Sequence, residues 1–182
     1  IHIEKEIEPG DDLSQLIINS GEIHNGDVVI IAQKIISKQE GRIIELSSVV
    51  PSLLAEGISS EYGKNPHIVE LILNESKQII RMYNGVLIVE TKNGFICANA
   101  GVDESNVKNG FATLLPLDAD LSAENIRNEI LKKSNITVSV IIADTFGRPF
   151  RMGQTNCAIG ISGMKPILDY AGTKDSFDKT LR

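Results

Sequence analysis

The chain has 182 residues, 18 of them basic and 24 acidic, for a net charge of −6 with neutral histidines. Hydrophobic residues at 42% and charged residues at 23% leave enough apolar surface for a core, which excludes disordered, collagen-like and low-complexity classes. No lysine- or arginine-rich run offers a footprint for nucleic-acid phosphates, and no apolar run approaches the roughly 20 residues that cross a bilayer, so neither nucleic acid nor membrane is an expected partner.

Residues 1–7 alternate apolar and charged and predict a half-buried strand. Gly10-Asp11-Asp12-Leu13 places carboxylates where a helix to about Asn19 begins. Val28-Val29-Ile30-Ile31-Ala32 is continuous and β-branched, which predicts a strand covered on both faces, ending at the polar Gln33-Lys34. A strand is expected over 41–46, a helix with Pro51 as its first residue, and a second helix over 66–80. Lys92-Asn93-Gly94 between 86–90 and 95–98 is a hairpin signal. A helix capped by Ser122 is expected over 121–133, then a buried strand over 136–143 that ends at Asp144-Thr145. The fold class is therefore α/β, a mixed α+β sheet architecture with no fixed-period repeat.

Cys97 and Cys157 lack CxxC or Cys/His spacing, so no disulfide framework or zinc site is indicated, and a cytoplasmic location is expected. Both read as small buried residues. His2, His24 and His67 share no ligand spacing and read as surface or structural side chains. The chain does not begin with methionine and stops at Leu181-Arg182, so it is expected to be a piece of something longer.

Three polar clusters follow predicted strands, where open α/β sheets place ligands. The first runs from Gln33 to Arg42 and offers lysines for phosphate oxygens, but without the GxxxxGK[ST] spacing of a P-loop. The second runs from Asn99 to Val107, where small residues admit a ligand and Asp103 and Asn106 offer hard oxygen donors suited to magnesium or manganese. In the third, from Ala143 to Arg151, Asp144 and Thr145 suit a divalent metal, and Arg148 and Arg151 suit phosphate or carboxylate. Two aspartates in separate loops, with cations and without a Ser/His/Asp or Cys/His grouping, favour metal-assisted phosphoryl transfer. A phosphohydrolase or kinase on another substrate, or a non-catalytic nucleotide-binding protein, fits the same residues.

Taken in order, Pro9-Gly10-Asp11-Asp12-Leu13, the stretch from Gly26 through Gln33-Lys34 and Ser37-Lys38 to Glu40-Gly41-Arg42, Asn99 to Val107, Asp144 to Arg151, and Gly153-Gln154-Thr155 to Gly163 resemble the coenzyme F-420-0:L-glutamate ligases, or gamma-glutamyl ligases. The resemblance implies a GTP-dependent ligase that joins L-glutamate by an amide bond to the lactate carboxylate of a deazaflavin precursor, through an acyl phosphate. It further implies magnesium or manganese, potassium in addition, an intertwined homodimer, and a mixed α/β fold that is neither ATP-grasp nor P-loop. On this resemblance the metal ligands fall on Asp103, Asp144 and Thr145, and the nucleotide contacts on Gln33, Lys34, Lys38 and Asn106. Lys38 would steady the leaving group, and Arg148 and Arg151 would serve phosphate or glutamate. The family's Gly-Ile-Pro-like segment is replaced here by Ile3-Glu4-Lys5, and 1–182 is expected to be a catalytic domain incomplete at its C-terminus.

Overall fold

The Asp12 carboxylate accepts the Gln15 amide at 3.0 Å and so starts α1 (Leu13–Asn19), as the sequence predicts. The structure is a computed structural model, and it describes residues 1–147, 150 and 152–182. Residues 1–7 form no strand: their alternation records burial of Ile7 and partial burial of Ile3 against the neighbouring core, not pairing in a ladder. Lys5 reaches Asp11 at 2.5 Å and Glu6 holds Lys38, which ties this segment down through side chains instead.

The expected strand β1 (Val28–Ala32) runs directly into α2 (Gln33–Gln39). The polar stretch after β1 is thus a helix rather than a turn, because Gln33, Ile36 and Ser37 share a buried face at helical spacing. β2 (Ile43–Glu45) is shorter than predicted. Ser52 caps α3 (Leu53–Tyr62), so Pro51 lies before the cap and not at the first helical position. α4 (Pro66–Asn74) has its proline at the start but ends six residues before the expected Ile80. Ser76 to Tyr83 instead forms β3 (Ser76–Tyr83), antiparallel to β4 (Val86–Thr91). Asn84 and Gly85 join them with φ of 48° and 74°, the paired positive values that match the twist of a tight hairpin.

The predicted hairpin is present as β4 and β5 (Ile96–Ala98). β6 (Phe111–Thr113) pairs with β2. α5 (Ala119–Ser134) starts at Asp118, whose carboxylate accepts the Leu121 amide; Ser122 sits inside the helix and is not its cap. β7 (Ser139–Gly147) runs past the expected strand end and includes Asp144 and Thr145, and the glycine-rich stretch beyond forms β8 (Gln154–Ser162).

These elements make the mixed α/β architecture expected. β1 and β7 are parallel and β7 and β8 antiparallel in one three-stranded sheet, β3-β4-β5 is a second, and β2-β6 is a two-stranded piece. One core packs α1, α2 and α5 on the first sheet through Ile17, Ile36, Ile130, Val140 and Ile142. The other packs α3 and α4 against β4 and β6 through Ile58, Val69, Ile72, Leu87, Val89 and Ala112. β1 is covered on one face only: Val29 and Ile31 are buried, while Val28 and Ile30 are 48% and 66% exposed, contrary to the two-sided cover expected. α5 lies so close to β8 that a Cβ on Gly160 would fall 2.3 Å from the Ala119 carbonyl oxygen, which fixes glycine there. Phe95, beside the tip of the β4–β5 hairpin, meets Phe146 edge-on at 6.2 Å, joining the two halves next to Asp144.

Candidate active site

A cleft of about 760 Å³ opens between the two halves. The β1–α2 junction supplies Ala32, Gln33 and Lys34; the loop after β5 supplies Asn99, Gly101, Asp103 and Asn106; β7 supplies Asp144 and Thr145; and β8 supplies Gln154 and Asn156. Six residues predicted from sequence thus share one cavity: Gln33, Lys34, Asp103, Asn106, Asp144 and Thr145.

The loop carrying Asp103 is irregular but firmly held. Asn99, Ala100 and Gly101 have φ of 53°, 54° and 71°, three left-handed residues in succession, each costly outside glycine. A Cβ on Gly101 would lie 2.6 Å from Leu115, so both its φ and its packing call for glycine. Asn99 Oδ1 accepts the Lys64 ammonium at 3.0 Å and the Leu87 amide at 3.3 Å. The Asp103 backbone then exchanges two hydrogen bonds with Thr113 of β6, at 3.1 and 2.8 Å. Asp144 is fixed differently, by its place in β7 opposite Cys157 of β8. An irregularity in the register just before it, between Ile142 and Ala143, is of the kind that re-aims side chains beside functional sites.

The two carboxyls have opposite environments. Burial pushes Asp103 up, but the Lys34 ammonium at 2.6 Å, the Ser105 amide at 2.8 Å and the Ser105 hydroxyl at 2.8 Å outweigh it and hold the group below the ordinary carboxylate value. Burial raises Asp144, the Asp103 charge raises it further, and the Thr145 amide and Lys34 only partly compensate. The Cys97 thiol is pushed up to about 11 by burial and the Asp144 charge, so it stays neutral and serves as a small buried residue, as expected; Cys157 is half-buried. Thr145 donates its hydroxyl to Asn156 Oδ1 at 2.9 Å.

The remaining predicted residues divide. Gln33 lines the cleft, but its side-chain amide is spent on the Ser37 hydroxyl and the Leu114 carbonyl, at 2.6 and 3.3 Å. Lys38 lies outside the cleft lining and pairs with Glu6. Arg148 and Arg151 fall outside the described residues. Sequence reasoning missed Gln154 and Asn156, polar positions two apart on β8 that the β7–β8 pairing turns toward the cleft. It also missed Lys64, whose half-buried ammonium is lowered by desolvation while the Glu104 charge opposes that shift, and whose connection to the site through Asn99 is visible only in three dimensions.

Among the described residues, no three histidine, cysteine or acidic side chains converge on one metal position. Two carboxylates, a hydroxyl and side-chain amides are nonetheless an all-oxygen set. Magnesium and manganese accept one or two carboxylates when water and phosphate complete the shell, so the residues present fit such an ion. With a lysine beside them, they can bind and orient a phosphate chain whose charge is shared between a metal ion and an ammonium.

The family model for F420-0:gamma-glutamyl ligase matches residues 3–182. The coenzyme F420:L-glutamate ligase of Methanopyrus kandleri is 42% identical over 182 residues, covering all of this chain and 72% of the relative. That of Methanothermobacter thermautotrophicus is 46% identical over 177 residues, 94% of this chain and 70% of the relative, and that of Methanocaldococcus jannaschii 44% over 171 residues, 94% and 68%. No helix among the described residues is long and apolar enough to cross a membrane. Motifs in order, a cleft that gathers six of their residues, and a family match over residues 3–182 agree: the chain belongs to the F420-0:gamma-glutamyl ligase family.

Proposed function

We propose that this chain ligates L-glutamate to the lactate carboxylate of the deazaflavin precursor coenzyme F-420-0, at the expense of GTP, in the biosynthesis of coenzyme F-420. The observation that carries the reading is the gathering of Asp103, Asp144, Thr145, Lys34 and Asn106 from separate elements into one cleft, in a chain of this family. In the proposed reaction a precursor carboxylate oxygen attacks the γ-phosphorus and GDP leaves. The glutamate amine then attacks the acyl carbon of the resulting acyl phosphate, releasing phosphate and the amine proton. Asp103, Asp144 and Thr145 would hold magnesium or manganese, which when bound offsets the charge of the phosphate chain. Lys34 supplies a cation on the same wall, and Asn156 directs the Thr145 oxygen by taking its proton in a hydrogen bond. Because Lys38 is engaged by Glu6, its role at the leaving group requires it to exchange that partner for phosphate.

The open apolar face of β1, with Val28 and Ile30 exposed beside half-buried Ile141, supports a homodimer in which a second copy covers this sheet. The discriminating experiment is GDP release by the full-length protein with manganese and the precursor, with and without L-glutamate. The ligase reading expects sustained release only with both acceptors present. Equal release without glutamate would point to a phosphohydrolase and overturn it.

A further inference from the structure

We infer that Lys34 is an internal counter-cation competing with a divalent metal ion for Asp103 Oδ2, so that metal and nucleotide enter the cleft as mutually dependent ligands. The inference rests on the reading of Asp103 and Asp144 as metal carboxylates. An ammonium has three protons to donate. The Lys34 ammonium has three acceptors, all in one loop: Asp103 Oδ2 at 2.6 Å, Ser105 Oγ at 2.6 Å and the Ser105 carbonyl at 2.9 Å. Its donors are fully engaged there, so contact with a phosphate requires it to release at least one of them.

Asp103 is equally committed. Oδ1 accepts the Ser105 amide at 2.8 Å, while Oδ2 accepts the Ser105 hydroxyl at 2.8 Å as well as Lys34. Oδ2 already accepts two hydrogen bonds, so a metal ion bound there would displace one of them and share the oxygen with the ammonium, and two neighbouring cations repel strongly in a partly buried cleft. The lysine must move when the metal arrives. Lys34 lies on the first turn of α2 and lines the same cavity as Asn106 and Asp144, so a released ammonium remains among groups that face a bound phosphate chain. Phosphate oxygens are the acceptors that compensate it for the lost carboxylate. Nucleotide thereby favours metal by drawing the lysine away, and by linkage metal favours nucleotide to the same extent.

The test is titration of free Mn2+ followed by electron paramagnetic resonance, on the full-length protein, its Lys34→Met and Lys34→Arg variants, and Asp144→Asn, each with and without GDP. Without nucleotide, Lys34→Met is expected to bind Mn2+ roughly fivefold more tightly than wild type, the scale of one partly exposed ion pair. With GDP the order reverses, and Lys34→Met binds Mn2+ more weakly. Lys34→Arg keeps the charge and stays near wild type in both conditions. Weaker binding by Lys34→Met in both conditions would mean the lysine only holds the loop, and unchanged binding in both would mean it does not compete; either overturns the inference while leaving the metal reading intact. If neither wild type nor any variant binds Mn2+ with or without GDP, the metal reading fails and takes this inference with it.

Discussion

The half built on β1, β7 and β8 and the half built on α3, α4 and β3–β5 each give the cleft one carboxylate, and they hold it by different means. Asp144 sits in a strand just past a register irregularity, its position set by ladder pairing and its carboxyl raised by burial and by the neighbouring Asp103 charge. Asp103 sits in a loop with three successive left-handed residues, its position set by side-chain and backbone hydrogen bonds and its carboxyl lowered in spite of burial. One half offers rigidity without solvation, the other solvation by protein groups without regular structure. A site at their junction gains a carboxylate that is stabilised as an anion and one that is short of partners until a cation arrives.

That contrast can be broken most forcefully at Asp144. Asp144→Asn is expected to lower GTP-dependent ligation by about 10³-fold, on the order of 4 kcal/mol in the barrier, measured as initial rates at saturating substrates. Gly160→Ala strikes the scaffold of the same half, since its Cβ would collide with the Ala119 backbone. Thermal and denaturant unfolding should show a loss of about 3 kcal/mol, and a stability equal to wild type would mean that α5 does not lie where the structure has it.

A sharper comparison sets the two aspartates side by side in stability rather than rate. Asp103→Asn gives up its charge-assisted bonds to Lys34 and Ser105 and should destabilise the protein by about 1 kcal/mol. Asp144→Asn relieves an under-solvated anion and should not destabilise it at all; denaturant melts of both variants at neutral pH decide this. The smallest effect is expected at a residue outside the cleft lining. The Asp12 carboxyl is held down to about 2 from an ordinary 3.8, first by the Lys133 ammonium and then by the Ser14 hydroxyl and the Gln15 amide. A depressed carboxyl stabilises the fold above its unfolded value and loses that contribution as pH falls through its folded one. Asp12→Asn keeps the helix cap, so at pH 7 it should cost only about 0.5 kcal/mol after solvent screening. The gap to wild type should close between pH 3.8 and about 2 in melts followed against pH.

The first half was the more readable in sequence because its elements obey local rules. β1 is a β-branched run, α1 begins at a capping aspartate, and α5 keeps helical spacing. Its errors came from pairing and cover: residues 1–7 alternate without a partner strand, β1 has one open face, and β7 extends through Asp144 and Thr145 because β8 pairs with it to Gly147. In the second half, the apolar positions of 66–80 fit a continuous helix, yet Asn84-Gly85 closes a hairpin that draws Ser76 to Tyr83 into β3; tertiary pairing overrode the local period. The site was legible as residue types but not as partnerships. Asp103, Asp144, Thr145, Lys34 and Asn106 stand out in the sequence by type and placement, whereas the Lys38–Glu6 pair, the Gln33–Ser37 bond and the Thr145–Asn156 bond depend on distances in the fold.

In the proposed function, the cleft between the halves joins glutamate to the deazaflavin precursor with GTP. Mass spectrometry of the product, after incubating the full-length protein with precursor, L-glutamate, GTP and manganese beside a mixture lacking GTP, tests it most directly. A gain of one or more glutamyl units is expected only where GTP is present and only with Asp103 and Asp144 intact. A gain without GTP, or an undiminished gain in Asp144→Asn, would contradict it.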